Sequence, residues 1–114
     1  MIYNGSPLYY VCDKDFTNIR PAGLMEWATW FENSLARRVA LTQTDRGYVL
    51  TVCEGLDLGM RFEPPPYIFE TFLHAPGYLC DGEGDRYTNV TEAREGHAKA
   101  VELLKTSPRV WESL

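Results

Sequence analysis

The chain has 114 residues, of which 45% are hydrophobic and 24% charged, a balance that fits one globular domain over residues 1–114 and excludes disorder. The net charge of -5 works against nucleic acid and against an anionic membrane surface, because both are gripped by Lys and Arg. No apolar run approaches the roughly 20 residues of a membrane span. The start, MIYNGSPLYY, has neither the basic nor the apolar region of a signal peptide. The expectation is a protein that stays in the cytoplasm where it is made, with no membrane and no nucleic-acid partner.

The first elements read as a short hairpin. Leu8 to Cys12 has strand composition, Asp13-Lys14-Asp15 is turn material, and Phe16 to Ile19 returns. Pro21 and Gly23 then punctuate the chain. A helix is predicted over 24–35, where Leu24, Trp27, Ala28, Phe31 and Leu35 recur at helical spacing. Trp30 stands on the shoulder of that stripe. It either covers the edge of the core or anchors a partner.

Residues 36–45 read as a strand, with Val39 and Leu41 on one face and Arg38, Ala40 and Thr42 on the other. Asp45-Arg46-Gly47 is a tight turn, and Tyr48 to Cys53 returns with Tyr48, Leu50 and Val52 on one face. Gly55, Gly59 and Pro64-Pro65-Pro66 keep 55–66 irregular. A strand over 67–75 is apolar on both faces, which predicts a central position with something packed on each side. Residues 76–88 read as loop, with the mixed-charge run Asp81 to Arg86 in solvent. The last helix starts near Asn89 or Thr91 and buries Ala93, His97, Ala100, Val101 and Leu104. Gly96 within it allows close approach to the sheet. Trp111 in the tail is expected to fold back. The fold class is therefore α+β: a mainly antiparallel sheet of about four to five strands, an inserted helix, and a C-terminal helix packed on the sheet.

Few residues carry a chemical signal. Glu70 stands between Ile68 and Phe72 on an apolar strand, and a carboxylate there is costly unless paired. It reads either as one half of an ion pair with Arg37, Arg38, Arg61 or Arg86, or as a general base or ligand contact. His97 meets Glu70 only if the helix covers Glu70's face of the sheet. Arg37-Arg38 is a basic pair suited to a phosphate-bearing ligand or to neighbouring carboxylates. Asp57 sits in the turn-rich connection. With Glu54, Glu63 and Glu70 it is a weak candidate for oxygen ligation of a cation. Cys12, Cys53 and Cys80 are odd in number and widely spaced, without a CxxC. That argues for free thiols in a reducing compartment rather than a disulfide framework, and gives a zinc site with His74 or His97 no support. No nucleophile elbow, Walker loop or dinucleotide fingerprint is present, and no cofactor is called for.

Leu50-Thr51-Val52, Gly55-Leu56-Asp57, Pro65-Pro66-Tyr67-Ile68-Phe69-Glu70-Thr71, Arg86-Tyr87-Thr88, Thr91-Glu92 and Gly96-His97 together resemble a family of small proteins of tailed bacteriophages and prophages. Tyr9-Tyr10, Asp13, Trp27, Phe31-Glu32 and Arg38-Val39-Ala40 extend the resemblance into the first half. Two positions depart from the pattern. Leu58 stands where the family often has His, and Phe72 where it often has Met. An activity resting on that histidine would be lost here. The resemblance implies phage origin and expression in the host cytoplasm, and supplies no reaction.

The leading expectation is a non-enzymatic phage accessory protein that binds, and inhibits or sequesters, a host or defence protein or a small signalling ligand, through Trp30, Arg37, Arg38, Asp57, Glu70 and Arg86; a phage protein is also a candidate partner. A virion-associated structural protein and a small hydrolase or transferase using Glu70 and His97 are the alternatives. Self-association through an open sheet edge is a further expectation.

Overall fold

The computed structural model describes residues 8–57 and 65–113. Arg61, Glu63 and Leu58, and most of the connection leading into the prolines, lie outside the described residues. The fold is α+β, with a two-stranded and a four-stranded antiparallel sheet. Strands β1 (Tyr10–Cys12) and β2 (Ile19–Pro21) form a hairpin as expected, but the turn extends to Asn18, so the return strand runs over Ile19–Pro21 rather than Phe16–Ile19 and includes the proline expected to follow it. Its turn is held by the Asp13 carboxylate, which accepts from the backbone N–H of Thr17 at 3.0 Å and from the Asn18 side-chain amide at 2.7 Å. That turn lets Phe16 adopt a φ of 63°, a conformation a bulky residue reaches only under tertiary constraint. The constraint is burial of its ring, edge-on to Phe69 at 6.2 Å.

The predicted first helix is two pieces, α1 (Leu24–Phe31) and α2 (Ser34–Arg37). The side chain of Asn33 accepts from the N–H of Ala36 and starts α2 afresh. This break turns Leu35 out of the expected stripe, leaving it 70% exposed, and Leu24 is also exposed. It also makes Arg37 the end of a helical turn rather than part of a strand.

Strands β3 (Arg38–Gln43), β4 (Tyr48–Cys53), β5 (Phe69–His74) and β6 (Gly84–Tyr87) form the main sheet in that order. The fourth strand replaces part of the expected 76–88 loop. Its four residues, GDRY, carry no apolar alternation because β6 is an exposed edge, where charge discourages unwanted pairing. A register shift between Arg38 and Ala40 is a bulge that moves Arg38 onto the face of Leu41, opposite to simple alternation.

Helix α3 (Val90–Thr106) begins at Asn89, whose side chain accepts from the N–H of Glu92 at 2.8 Å. The helix lies across one face of the sheet. Two apolar clusters sit beneath it. One joins Tyr10, Phe16, Ile68, Phe69, Val90 and Ala93 near the hairpin; the other joins Val49, Leu73, Cys80 and Leu104 at the far end. Burying a ring as fully as Phe69 contributes about 2–3 kcal/mol. Ile68 and Phe69 are both inaccessible to solvent.

The other face of β5 is not packed as expected. Phe69, Thr71 and Leu73 are buried under α3, while Phe72 and His74 are exposed and Glu70 is half-buried. After α3 the chain does fold back, by backbone bonds from Leu79 to Pro108 and from Val110 to Gly77. The Trp111 side chain nevertheless remains 68% exposed.

Gly96 lets α3 lie close against Tyr87 of β6. A β-carbon there would fall 2.0 Å from the hydroxyl and 2.2 Å from the ring of Tyr87 in β6. In an open helix, Gly→Ala gains about 1 kcal/mol. Here the sign reverses: Gly96→Ala should lower the urea midpoint, with a loss of about 1–3 kcal/mol from overpacking. The double variant Gly96→Ala/Tyr87→Ala should recover the helix-propensity gain relative to Tyr87→Ala alone.

Candidate functional site

His97 is buried between the two apolar clusters, and its imidazole is fully engaged. Nε2 lies 2.9 Å from the hydroxyl of Thr42 in β3, and Nδ1 lies 2.8 Å from that of Thr51 in β4. Thr51 in turn meets Thr71 of β5 at 2.6 Å. A neutral imidazole donates from one nitrogen and accepts at the other, and the hydroxyls rotate to match. Burial holds the His97 pKa below its ordinary value. This is a satisfied core histidine.

Glu70 lies on the opposite face. Adjacent strand residues point to opposite sides of a sheet, so Thr71 faces α3 and Glu70 faces away. The expected acid–base pair of Glu70 and His97 therefore does not form, because the sheet stands between them. Cross-strand pairing instead puts Glu70 beside Val52 and Arg86, and Val52 beside Arg38. Arg38, Val52, Glu70 and Arg86 thus form one row across all four strands.

The next row on this face is Leu41, Leu50, Phe72 and Gly84; the last is Gln43, Tyr48 and His74. The Tyr48 and His74 rings lie 5.1 Å apart. Phe72, at the centre, is 42% exposed. Among the described residues no helix is packed on this face, and an apolar band, bordered by charge on one side and by polar aromatic groups on the other, runs across it.

Glu70 is imperfectly paired. The Arg86 Nε stands 3.9 Å from its carboxylate, and the Arg86 side chain is itself half-exposed. An ion pair of that kind contributes at most about 1 kcal/mol. Burial raises the Glu70 pKa; Arg86 opposes the rise, and the Glu54 carboxylate adds to it.

The other anticipated residues divide between structure and surface. Arg37 is buried. It donates to the Phe31 carbonyl at 2.8 Å and to the Glu54 carboxylate at 2.9 Å, and lies over the Phe31 ring. It balances a neighbouring carboxylate and is not available to a phosphate. Trp30 packs against the hairpin-side core, covering its edge. Gly55 adopts a φ of 67°, and a β-carbon there would fall 2.4 Å from the Tyr10 carbonyl oxygen and 2.5 Å from Trp30. Asp57, next but one, is buried, and its charge adds to the burial that raises the Tyr10 pKa. The Gly-Leu-Asp turn is thus a packing junction between the hairpin and β4.

A second surface was not visible in the sequence. A cleft of about 380 Å³ runs between β6 and α3, lined by Glu83, Asp85, Glu92, Glu95, Lys99 and Leu103 among others. Four carboxylates against one ammonium make it acidic. Spaced glutamates on a helix and a charged loop became neighbours only through the unrecognised strand β6. Among the described residues, no three His, Cys, Asp or Glu side chains come together in a way that could hold a metal ion.

Because the His97 pKa is lower in the folded chain than in the unfolded one, the unfolded state binds the extra proton first as pH falls. Stability should be constant above about pH 7 and decline as pH drops through the ordinary histidine range near 6.5. The decline approaches, at most, about 1.4 kcal/mol per pH unit. Glu70, with a raised pKa, acts oppositely: its contribution is lost as pH rises through its folded value. Urea midpoints between pH 7.5 and 5.5 should therefore fall more steeply for the natural chain than for His97→Gln. Glu70→Gln should be neutral or slightly stabilising at pH 7.5.

Compared with protein-family models, with curated proteins and with solved structures, the chain matches none.

Proposed function

We propose that this is a binding protein, and that the uncovered face of its sheet receives a protein partner. The observation that supports this reading most is the band of Leu41, Leu50 and Phe72, in which Phe72 is exposed and the two leucines half-buried, with the row of Arg38, Glu70 and Arg86 beside it. A flat apolar centre with a charged border has the composition of a protein interface. Glu70 adds to the argument. Its raised pKa means that ionisation costs the fold stability at neutral pH, so folding alone gives no reason for a carboxylate there.

A phosphate-bearing signalling ligand is the weaker choice. The cleft between β6 and α3 is lined with carboxylates that would repel it, and the buried Arg37 is already committed. The hydrolase or transferase reading required Glu70 and His97 in one cleft. Joined to the resemblance drawn from the sequence, the proposal is a phage accessory protein that captures a host or phage protein in the host cytoplasm.

The test is site-specific photo-crosslinking in bacteria during phage growth, with a photoreactive amino acid in place of Phe72 or, as an exposed control, Leu35. A discrete adduct from position 72 and none from 35 is expected, and it should vanish when Arg86→Glu is added. Equal labelling from both positions, or none from position 72, contradicts the proposal.

A further inference from the structure

We infer that Cys12 and Cys53 form a dithiol site that closes to an intramolecular disulfide when exposed to a low-molecular-weight disulfide such as oxidised glutathione. The two sulfurs lie 3.2 Å apart, although the residues are 41 positions apart in sequence. Both are free thiols in this structure.

The approach follows from how the hairpin is tied to the end of β4. The N–H of Asp57 donates to the Leu8 carbonyl, Tyr9 bridges Leu56, and the N–H of Tyr10 donates to the Gly55 carbonyl at 2.7 Å. These bonds hold the start of β1 against residues 55–57, just past Cys53, and the side chain of Cys12 meets that of Cys53 beside them. Closing the bond takes the sulfurs from 3.2 Å to the roughly 2.0 Å of a disulfide. The positive-φ turn at Gly55 supports this junction, with the Trp27 indole N–H bonded to the Glu54 carbonyl at 3.1 Å.

Access differs between the two sulfurs. Cys12 is partly exposed, whereas Cys53 is fully buried. Cys12 is therefore the attacking group. Its thiolate attacks one sulfur of oxidised glutathione, the S–S bond breaks, and one glutathione thiolate leaves. Cys53, as thiolate, then attacks the Cys12 sulfur of the mixed disulfide and expels the second glutathione. The two cysteines lose two electrons, which reduce one glutathione disulfide to two thiols, and the two cysteine protons end on those thiols. In the dithiol, the Cys53 thiol is held protonated by the hydrogen bond it shares with Cys12 and by burial, and the Gly55 backbone N–H and the Arg37 guanidinium oppose them.

Cys80 provides an internal control. It is buried in the other apolar cluster, with Val49, Leu73 and Leu104. The new bond would tie the hairpin to the central strand, a constraint on the unfolded chain that raises Tm.

The experiment equilibrates the full-length chain in mixtures of reduced and oxidised glutathione, quenches it, and counts alkylatable thiols after denaturation. The count should fall from three to one, with Cys12 and Cys53 peptides joined and Cys80 alkylated. Tm should rise by roughly 5–15 °C and return on reduction. Cys80→Ala should behave like the natural chain. Cys12→Ala should lose the bond, and with it the rise in Tm. A bond that involves Cys80, a cross-linked dimer, stable glutathione adducts in place of the internal bond, or an unchanged thiol count would each overturn the assignment.

Discussion

One imidazole joins three strands to a helix. His97 reaches Thr42 and Thr51, and Thr51 reaches Thr71, so β3, β4, β5 and α3 meet in a single hydrogen-bonded chain. A polar chain under a helix is costly if any member lacks a partner, and specific when every member has one. It sits between two apolar clusters and fixes how far along the sheet the helix can slide. Gly96, one residue earlier, fixes how near it can come, because the ring of Tyr87 occupies the space of a β-carbon.

Everything on the other face follows from that placement. The long helix α3 is committed to the side of Thr51 and Thr71. The rows built on Glu70 and Phe72 are left facing outward. The hairpin and the short helices close one end of the sheet through Tyr10, Phe16 and Arg37. The broad surface left without a helix is therefore a sheet face, apolar at its centre and charged along one border.

The sequence made the helical stripe legible because Ala93, His97, Val101 and Leu104 repeat at helical spacing. It made the hairpin of β3 and β4 legible because alternation flanks a tight turn. It concealed β6, since a charged four-residue edge strand looks like a loop until a neighbour supplies its hydrogen bonds. It concealed the break at Asn33 because Leu35 continues the apolar spacing across a cap. The side of the sheet that the helix covers was equally hidden. Tyr67 to Ala75 is apolar in both directions, and only the threonine partners of His97 decide between them. For the candidate site, Glu70 and Arg86 were visible as charges, and Arg38 too. Their arrangement in one row depends on the bulge at Val39, which no local pattern announces.

Helix α3 seals one face of the sheet and leaves the other open, so a soluble nitroxide should reach one set of methyl groups and not the other. In methyl NMR spectra the Leu41 and Leu50 signals should broaden clearly more than those of Val49, Leu73 and Leu104, which are buried under the helix. Equal protection of Leu41 and Leu50 would mean that their face is already covered, and the reading of an open sheet face would fail.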